Sequence, residues 1–169
     1  VIADENHKWI TKSANDRRMN YRNQVRTTKS IYNTTYTSNG QNNHSVPLTG
    51  RVEYGEKDLL IHPYVLGLWL GDGNRNDSSI CIADSEYNEI SSYLLECGYN
   101  IGASWNRNGL AASYNILGLN NQLHALGLIG HKYIPDEYMS GSIEQRLYLL
   151  KGLMDSDGSI SDRGQCEFD

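Results

Sequence analysis

The sequence has 169 residues, 38% hydrophobic and 21% charged, with a net charge of −5, a balance that suits a folded domain and excludes disorder throughout. Its longest apolar stretch, Tyr64 to Leu70, is too short to span a bilayer and carries Gly67, so neither a membrane partner nor a secreted protein is expected. Cys81, Cys97 and Cys166 are odd in number and never two or three residues apart, which excludes a zinc knuckle or disulfide framework and suits a reducing, cytoplasmic (in a eukaryote, nuclear) compartment.

Opening on Val1 rather than Met and closing on Glu167-Phe168-Asp169, the sequence reads as a segment of a longer chain. The net charge conceals a split. Residues 1–57 hold nine Lys/Arg against five Asp/Glu, and residues 58–169 hold six against fifteen. Between Lys8 and Lys29 stand seven basic residues and one acid, Asp16, a run that is either a solvated face or a phosphate-contacting arm.

Residues 1–50 are rich in Asn, Thr and Ser. Thr27-Thr28 and Thr34-Thr35-Tyr36-Thr37 read as short strands, with Asn39-Gly40 as a turn. A linker follows at Thr49 to Asp58. Pro63 sits where a helix can begin, since its missing N–H costs nothing in the first turn, and that helix reads through Gly71. Alternation of Ile80 and Ile82 predicts a strand over 78–83. Ser85 to Cys97 reads as a helix capped by Ser85, with Ile90, Leu94 and Cys97 on one face and Gly98 as its stop. Strands over 99–106 and 110–116 join at Asn108-Gly109, and a helix over 120–128 follows. The last helix opens at Ser142 with Gln145 completing a capping box, runs to about Asp155, and presents Ile143, Leu147, Leu150 and Met154 as its core face. The class is α+β.

One internal repeat stands out. Residues 65–73, V-L-G-L-W-L-G-D-G, align with residues 150–158, L-K-G-L-M-D-S-D-G, with Gly, Leu, Asp and Gly identical. In each copy small residues recur at i and i+4, Gly67 with Gly71 and Gly152 with Ser156, on one helical face where another backbone can come close. Packing through these faces would bring Asp72 and Asp157 together at one end. A helix C-terminus disfavours a carboxylate by roughly 0.3–1 kcal/mol, and two carboxylates repel further, for which the usual resolutions are a shared proton or a bound cation. Hard oxygen ligands with room for water suit Mg2+ or another divalent metal. Taken singly, each D-G could merely end a helix on a left-handed Gly; the repeat weighs against that. An EF-hand over 155–160 fails on spacing, because Gly158 at loop position six puts Leu153 at position one and Gly164 at position twelve.

At these residues the sequence resembles the LAGLIDADG homing endonucleases: L-K-G-L-M-D-S-D-G matches the eponymous nonapeptide at six of nine positions, and the resemblance runs from about Pro63 to Asp169. It implies αββαββ repeats, the first over 58–141 and a truncated second over 142–169, joined through the motif helices with their strands as saddles on double-stranded DNA. It also implies that Asp72 and Asp157 hold divalent metal, with Gly71 and Ser156 in the same ligand set, and that both DNA strands are cut. Lys132-Tyr133-Ile134-Pro135 is similar to the K-x-I-P segment of intein-borne members, which makes Lys132 the expected assisting base or phosphate-stabilising cation. Arg75 and Arg107 are then expected DNA contacts.

The front of the chain, residues 1–57, resembles part of an intein splicing (Hint-like) domain. His7 in D-E-N-H is similar to the T-x-x-H histidine that activates the amino-terminal scissile bond, although Asp4 stands where Thr is usual. Asn43-His44-Ser45-Val46-Pro47 resembles the segment before the endonuclease. Lys8, Arg17, Arg18 and Arg22 would add phosphate contacts. The function implied is an intein-encoded, site-specific homing endonuclease within a protein that splices itself out of its host. The host's exteins are partners in the precursor, and no small-molecule cofactor is involved. The alternatives are a splicing element whose endonuclease half has decayed to a DNA-binding or structural insert, and a free-standing LAGLIDADG endonuclease. A glycosidase-like carboxylate pair is a third reading, disfavoured because small residues beside each acid leave little room for a sugar.

Overall fold

The computed structural model describes residues 2–162 and 164–168, apart from the side chains of residues 106–108. The chain forms two compact units, Val1–Arg51 and Val52–Asp169. Among the described residues no helix is long and apolar enough to cross a membrane.

The first unit is built on β1 (Lys8–Ser13), which pairs antiparallel with β2 (Gln24–Thr27) on one side and β3 (His44–Ser45) on the other. Between β1 and β2, α1 (Ala14–Arg18) opens on a capping box in which Ser13 and Asp16 satisfy each other's orphan donors. The Asp16 carboxylate also takes the Arg26 guanidinium at 2.6 Å, while Arg26 reaches the buried Thr11 hydroxyl at 3.0 Å. Hydrogen bonds from Ser13, reinforced by Arg26, hold the Asp16 carboxyl down at about 2. A depressed carboxyl pKa adds stability above its unfolded value and loses it as the carboxyl protonates. The first unit is therefore expected to weaken as pH falls from the ordinary carboxylate range towards 2, a dependence that Asp16→Asn removes in acid titrations followed by circular dichroism.

The Thr-rich stretch follows its predicted strands only at Thr27, the last residue of β2. Thr28–Asn33 is a helix, α2, capped by the Thr27 hydroxyl on Ser30 N–H. Thr34 and Thr35 then return their hydroxyls to carbonyls of Ser30 and Ile31, a local alternative to strand pairing that such side chains offer. Only the bridge Tyr36–Asn42 remains of the expected hairpin, around Gly40 at φ 75°.

The second unit follows the order α3 (Pro63–Asp72), β4 (Ser79–Ala83), α4 (Tyr87–Glu96), β5 (Ile101–Asn108), β6 (Ala111–Ile116), α5 (Leu119–Ala125), α6 (Asp136–Met139), α7 (Ile143–Asp157), β7 (Gly158–Ile160) and β8 (Cys166–Phe168). Strands β4, β6 and β5 form one antiparallel sheet in that order, and β7 pairs with β8. The fold is α+β with small antiparallel sheets. Pro63 does open α3, and Ser142 and Gln145 form the capping box of α7. Ser85 does not cap α4; Glu86 occupies the cap position without a side-chain bond, and Ile90 and Leu94 are the residues buried from that helix.

The core gathers Tyr64, Val65, Leu66, Leu68 and Trp69 of α3 with Ile80 and Ile82 of β4, Ala112, Tyr114 and Ile116 of β6, and Leu119 and Leu123 of α5. Helix α3 is buried on nearly every side, as a helix that is apolar all round should be. Ahead of it, the buried Tyr138 hydroxyl accepts from Ile61 N–H at 3.0 Å and donates to Ile61 C=O at 2.9 Å. Tyr138→Phe deprives both backbone groups of this partner and is expected to cost about 1–3 kcal/mol in urea unfolding of the chain.

The core face of α7 is not the predicted one. Leu147 and Leu150 are 55% and 51% exposed, while Leu149 and Gly152 are buried and Leu153 is packed against the core. A helix that approaches another at a glycine must turn that glycine inward. Its one-turn neighbour Leu149 and adjacent Leu153 then follow it, whatever larger side chains lie elsewhere on the helix.

Candidate functional site

The two copies of the repeat lie on α3 and α7, which pack on each other. Their closeness is set by the small residues. A Cβ added to Gly67 would stand 2.9 Å from Leu153 N and 3.1 Å from Gly152 Cα, and one added to Gly152 would stand 2.7 Å from Leu68 N. One turn further, a Cβ on Gly71 would lie 2.6 Å from Ser156 Cβ and 3.2 Å from Asp157 Oδ2. The Asp157 carboxylate thus reaches α3 at the residue before Asp72.

Both motifs end alike. Gly73 caps α3 at φ −73°, ψ 148°, and Gly158 caps α7 at φ −83°, ψ 149°. Neither is left-handed, so the simple view of D-G as a helix stop on a left-handed Gly does not describe them. Both glycines are needed for space: a Cβ at Gly73 would meet Trp69 Cγ at 2.7 Å, and one at Gly158 would meet Met154 Cα at 2.6 Å.

The electrostatics agree with the geometry. Burial raises the Asp72 carboxyl above its ordinary range, and the charges of Asp157 and Glu86 raise it further, against the opposing influence of Lys132. Burial lowers the Lys132 ammonium, while Asp157 and Asp72 pull it back up. Asp72, Asp157 and Lys132 therefore share one electrostatic neighbourhood. Glu86, at the start of α4, joins it without having been expected from the sequence; an acid at a helix start is so ordinary that no local pattern marks it. Glu86, Glu89, Asp155 and Ser156 line a cleft of about 270 Å3 beside the motif ends.

Lys132 donates to the carbonyls of Leu70 and Gly71, each at 3.1 Å, and to that of Gly73, and its ammonium stands 5.1 Å from the Trp69 ring centroid. Of the other expected ligands, the Gly71 carbonyl is thus already met by Lys132, and the Ser156 hydroxyl donates back to Gly152 and Leu153 carbonyls at 3.1 and 2.9 Å. Among the described residues no group of three or more His, Cys, Asp or Glu side chains is gathered to hold a metal ion. The carboxylates that the two motifs place just before their final glycines are those of Asp72 and Asp157. Asp72 is half-buried and Asp157 exposed.

Arg75 follows α3 and donates to Gly130 C=O at 2.5 Å, while Gly130 N–H returns a bond to Arg75 C=O at 2.6 Å. This clasp ties the turn after Asp72 to the loop that carries Lys132. The Arg107 side chain lies outside the described residues. In the first unit His7 is exposed just before β1, its ring edge-on to Trp9 with centroids 4.7 Å apart. Lys8 and Arg22 are exposed. Arg17 donates to Lys12 C=O and to the Ser45 hydroxyl, and Arg18 to Asn15.

No protein-family model matches the chain. The chain is similar to a replicative DNA helicase DnaB from Mycobacterium intracellulare, with 32% identity over 184 residues that take in 99% of this chain and 29% of that protein. It thus spans less than a third of that relative's length.

Proposed function

We propose that the chain is a segment of an intein whose embedded LAGLIDADG-type endonuclease makes metal-dependent double-strand cuts in DNA. One observation carries this reading. Two helices ending in the same small-x-x-x-small-Asp-Gly pattern meet through their small residues and bring Asp72 and Asp157 to one end. Asp72 and Asp157 would hold divalent metal, preferably Mg2+, which supplies positive charge at the phosphate and acidifies the attacking water. Lys132 adds a cation beside both acids, and the antiparallel β4-β6-β5 sheet offers strands for reading base edges.

The similarity to a helicase is compatible with this reading. A helicase motor cradles nucleotide phosphates in a loop of the form G-x-x-x-x-G-K-[ST], and no Gly in this sequence is followed by Lys. This chain, which matches 29% of that protein, thus carries no phosphate loop of that form, and we read it as an element inserted into a helicase chain. Double-stranded DNA and the helicase exteins are the partners proposed.

The test uses the complete protein and a plasmid carrying the uninterrupted helicase coding sequence. A linear product that requires Mg2+ and disappears with EDTA is expected. An intact plasmid at all Mg2+ concentrations refutes nuclease activity. The second reading is splicing with an inactive nuclease half, and the two compact units fit it as well as the first. It predicts a precursor that splices while failing to cut.

A further inference from the structure

We infer that Lys132 is a positioning residue whose ammonium clamps the backbone on both sides of Asp72, rather than a group that gives or takes a proton at the phosphate. This rests on the proposed role of Asp72 as a metal-binding acid. A lysine ammonium has three N–H donors and no acceptor. Here three carbonyls receive them: Leu70 and Gly71 at 3.1 Å and Gly73. Every donor is used, and none is left to aim at a substrate.

The choice of carbonyls is informative. Leu70 and Gly71 belong to the last turn of α3, whose carbonyls lack helical partners and carry the negative end of the helix dipole. Gly73 lies beyond the helix end. The ammonium therefore grips the residue before Asp72 and the residue after it. The Trp69 ring, 5.1 Å from the ammonium, lies within cation–π range and gives the clamp a wall. Trp69 is itself fixed, its indole N–H donating to Asp77 C=O at 2.8 Å. The Arg75–Gly130 clasp ties the Lys132 loop to the same turn by a second route. A carboxylate held this way meets a metal without first ordering its backbone, and ordering is a cost that preorganised ligands avoid.

Lys132→Met and Lys132→Arg in the complete protein test the inference by three readouts: amide hydrogen exchange over residues 66–74, the Mg2+ concentration that half-stabilises the fold in thermal unfolding, and cleavage against Mg2+ and pH. In Lys132→Met, faster exchange at 70–73 and an Mg2+ midpoint raised about 10-fold are expected, with cleavage recovered at saturating Mg2+ and the pH profile unchanged in shape. Lys132→Arg, which keeps the charge and donors but cannot transfer a proton near neutral pH, should restore both protection and cleavage. Wild-type exchange in Lys132→Met, or an Arg variant that restores protection yet never cleaves, overturns the inference. If Lys132→Met does not fold, the Arg variant alone decides. A wild-type protein that neither cuts nor gains stability from Mg2+ instead refutes the metal-site reading, and the exchange measurement still reports on the clamp.

Discussion

On the nuclease reading proposed above, Asp157→Asn in the complete protein should lower Mg2+-dependent cleavage by at least the roughly 10–100-fold that loss of an outer-shell partner alone causes, and Asp72→Asn should do the same, yet the two should differ in stability. Asp157 is exposed, whereas Asp72 is half-buried with its carboxyl raised by burial, by Asp157 and by Glu86. A carboxyl whose folded pKa is raised contributes stability when protonated, at pH below its unfolded value, and loses that contribution as pH rises through the folded value. Metal-free wild type should therefore weaken as pH climbs out of the ordinary carboxylate range. Asp72→Asn carries no charge to bury, so it should be the more stable protein at neutral pH without metal, with a flatter pH dependence. Added Mg2+ should stabilise wild type and leave Asp72→Asn little changed, because the wild-type gain comes from neutralising the pair. Thermal unfolding at several pH values, with and without Mg2+, separates these expectations. Full cleavage by Asp157→Asn in Mg2+ would remove the metal-ligand assignment outright.

Much of this arrangement is legible in the amino-acid sequence, and the reasons are local. Pro63 opens a helix because its ring presets φ, and Ser142 with Gln145 opens another because both side chains satisfy orphan backbone donors. Four identities in nine residues suffice to predict that Gly67 and Gly152 face each other. The features that sequence does not reveal depend on tertiary partners. Periodicity misplaces the face of α7 because large apolar residues outweigh a glycine in any such argument, although the glycine decides which side of the helix approaches α3. Thr34 and Thr35 look like strand residues, but their hydroxyls find carbonyls one turn back. Lys132 carries no sign that its partners are carbonyls 59 to 62 positions earlier. Glu86 enters the site only because α4 begins beside it.

Gly152→Ala should cost about 3 kcal/mol, at the upper end of overpacking penalties, and lower the melting temperature of the chain by roughly 10 °C. Ordinary helix propensity pulls the other way, since alanine inside a helix gains about 1 kcal/mol over glycine. The clash wins because of what the new Cβ meets: Tyr64 C at 3.0 Å, Leu68 N at 2.7 Å and the Tyr64 carbonyl oxygen. All three are α3 backbone atoms with no rotamer to escape into, so the helices must separate. Separation would also draw Asp157 away from Asp72, and cleavage should fall with stability. Gly71→Ala is a graded counterpart, because its Cβ meets the Ser156 side chain, Cβ at 2.6 Å. The double variant Gly71→Ala, Ser156→Gly should recover most of that loss by moving the side chain from one helix to the other. No such trimming can rescue Gly152→Ala, where the obstacle is main chain. A Gly152→Ala protein as stable as wild type in urea would show that α3 and α7 do not approach at this residue, and the convergence of the two aspartates would lose its structural basis.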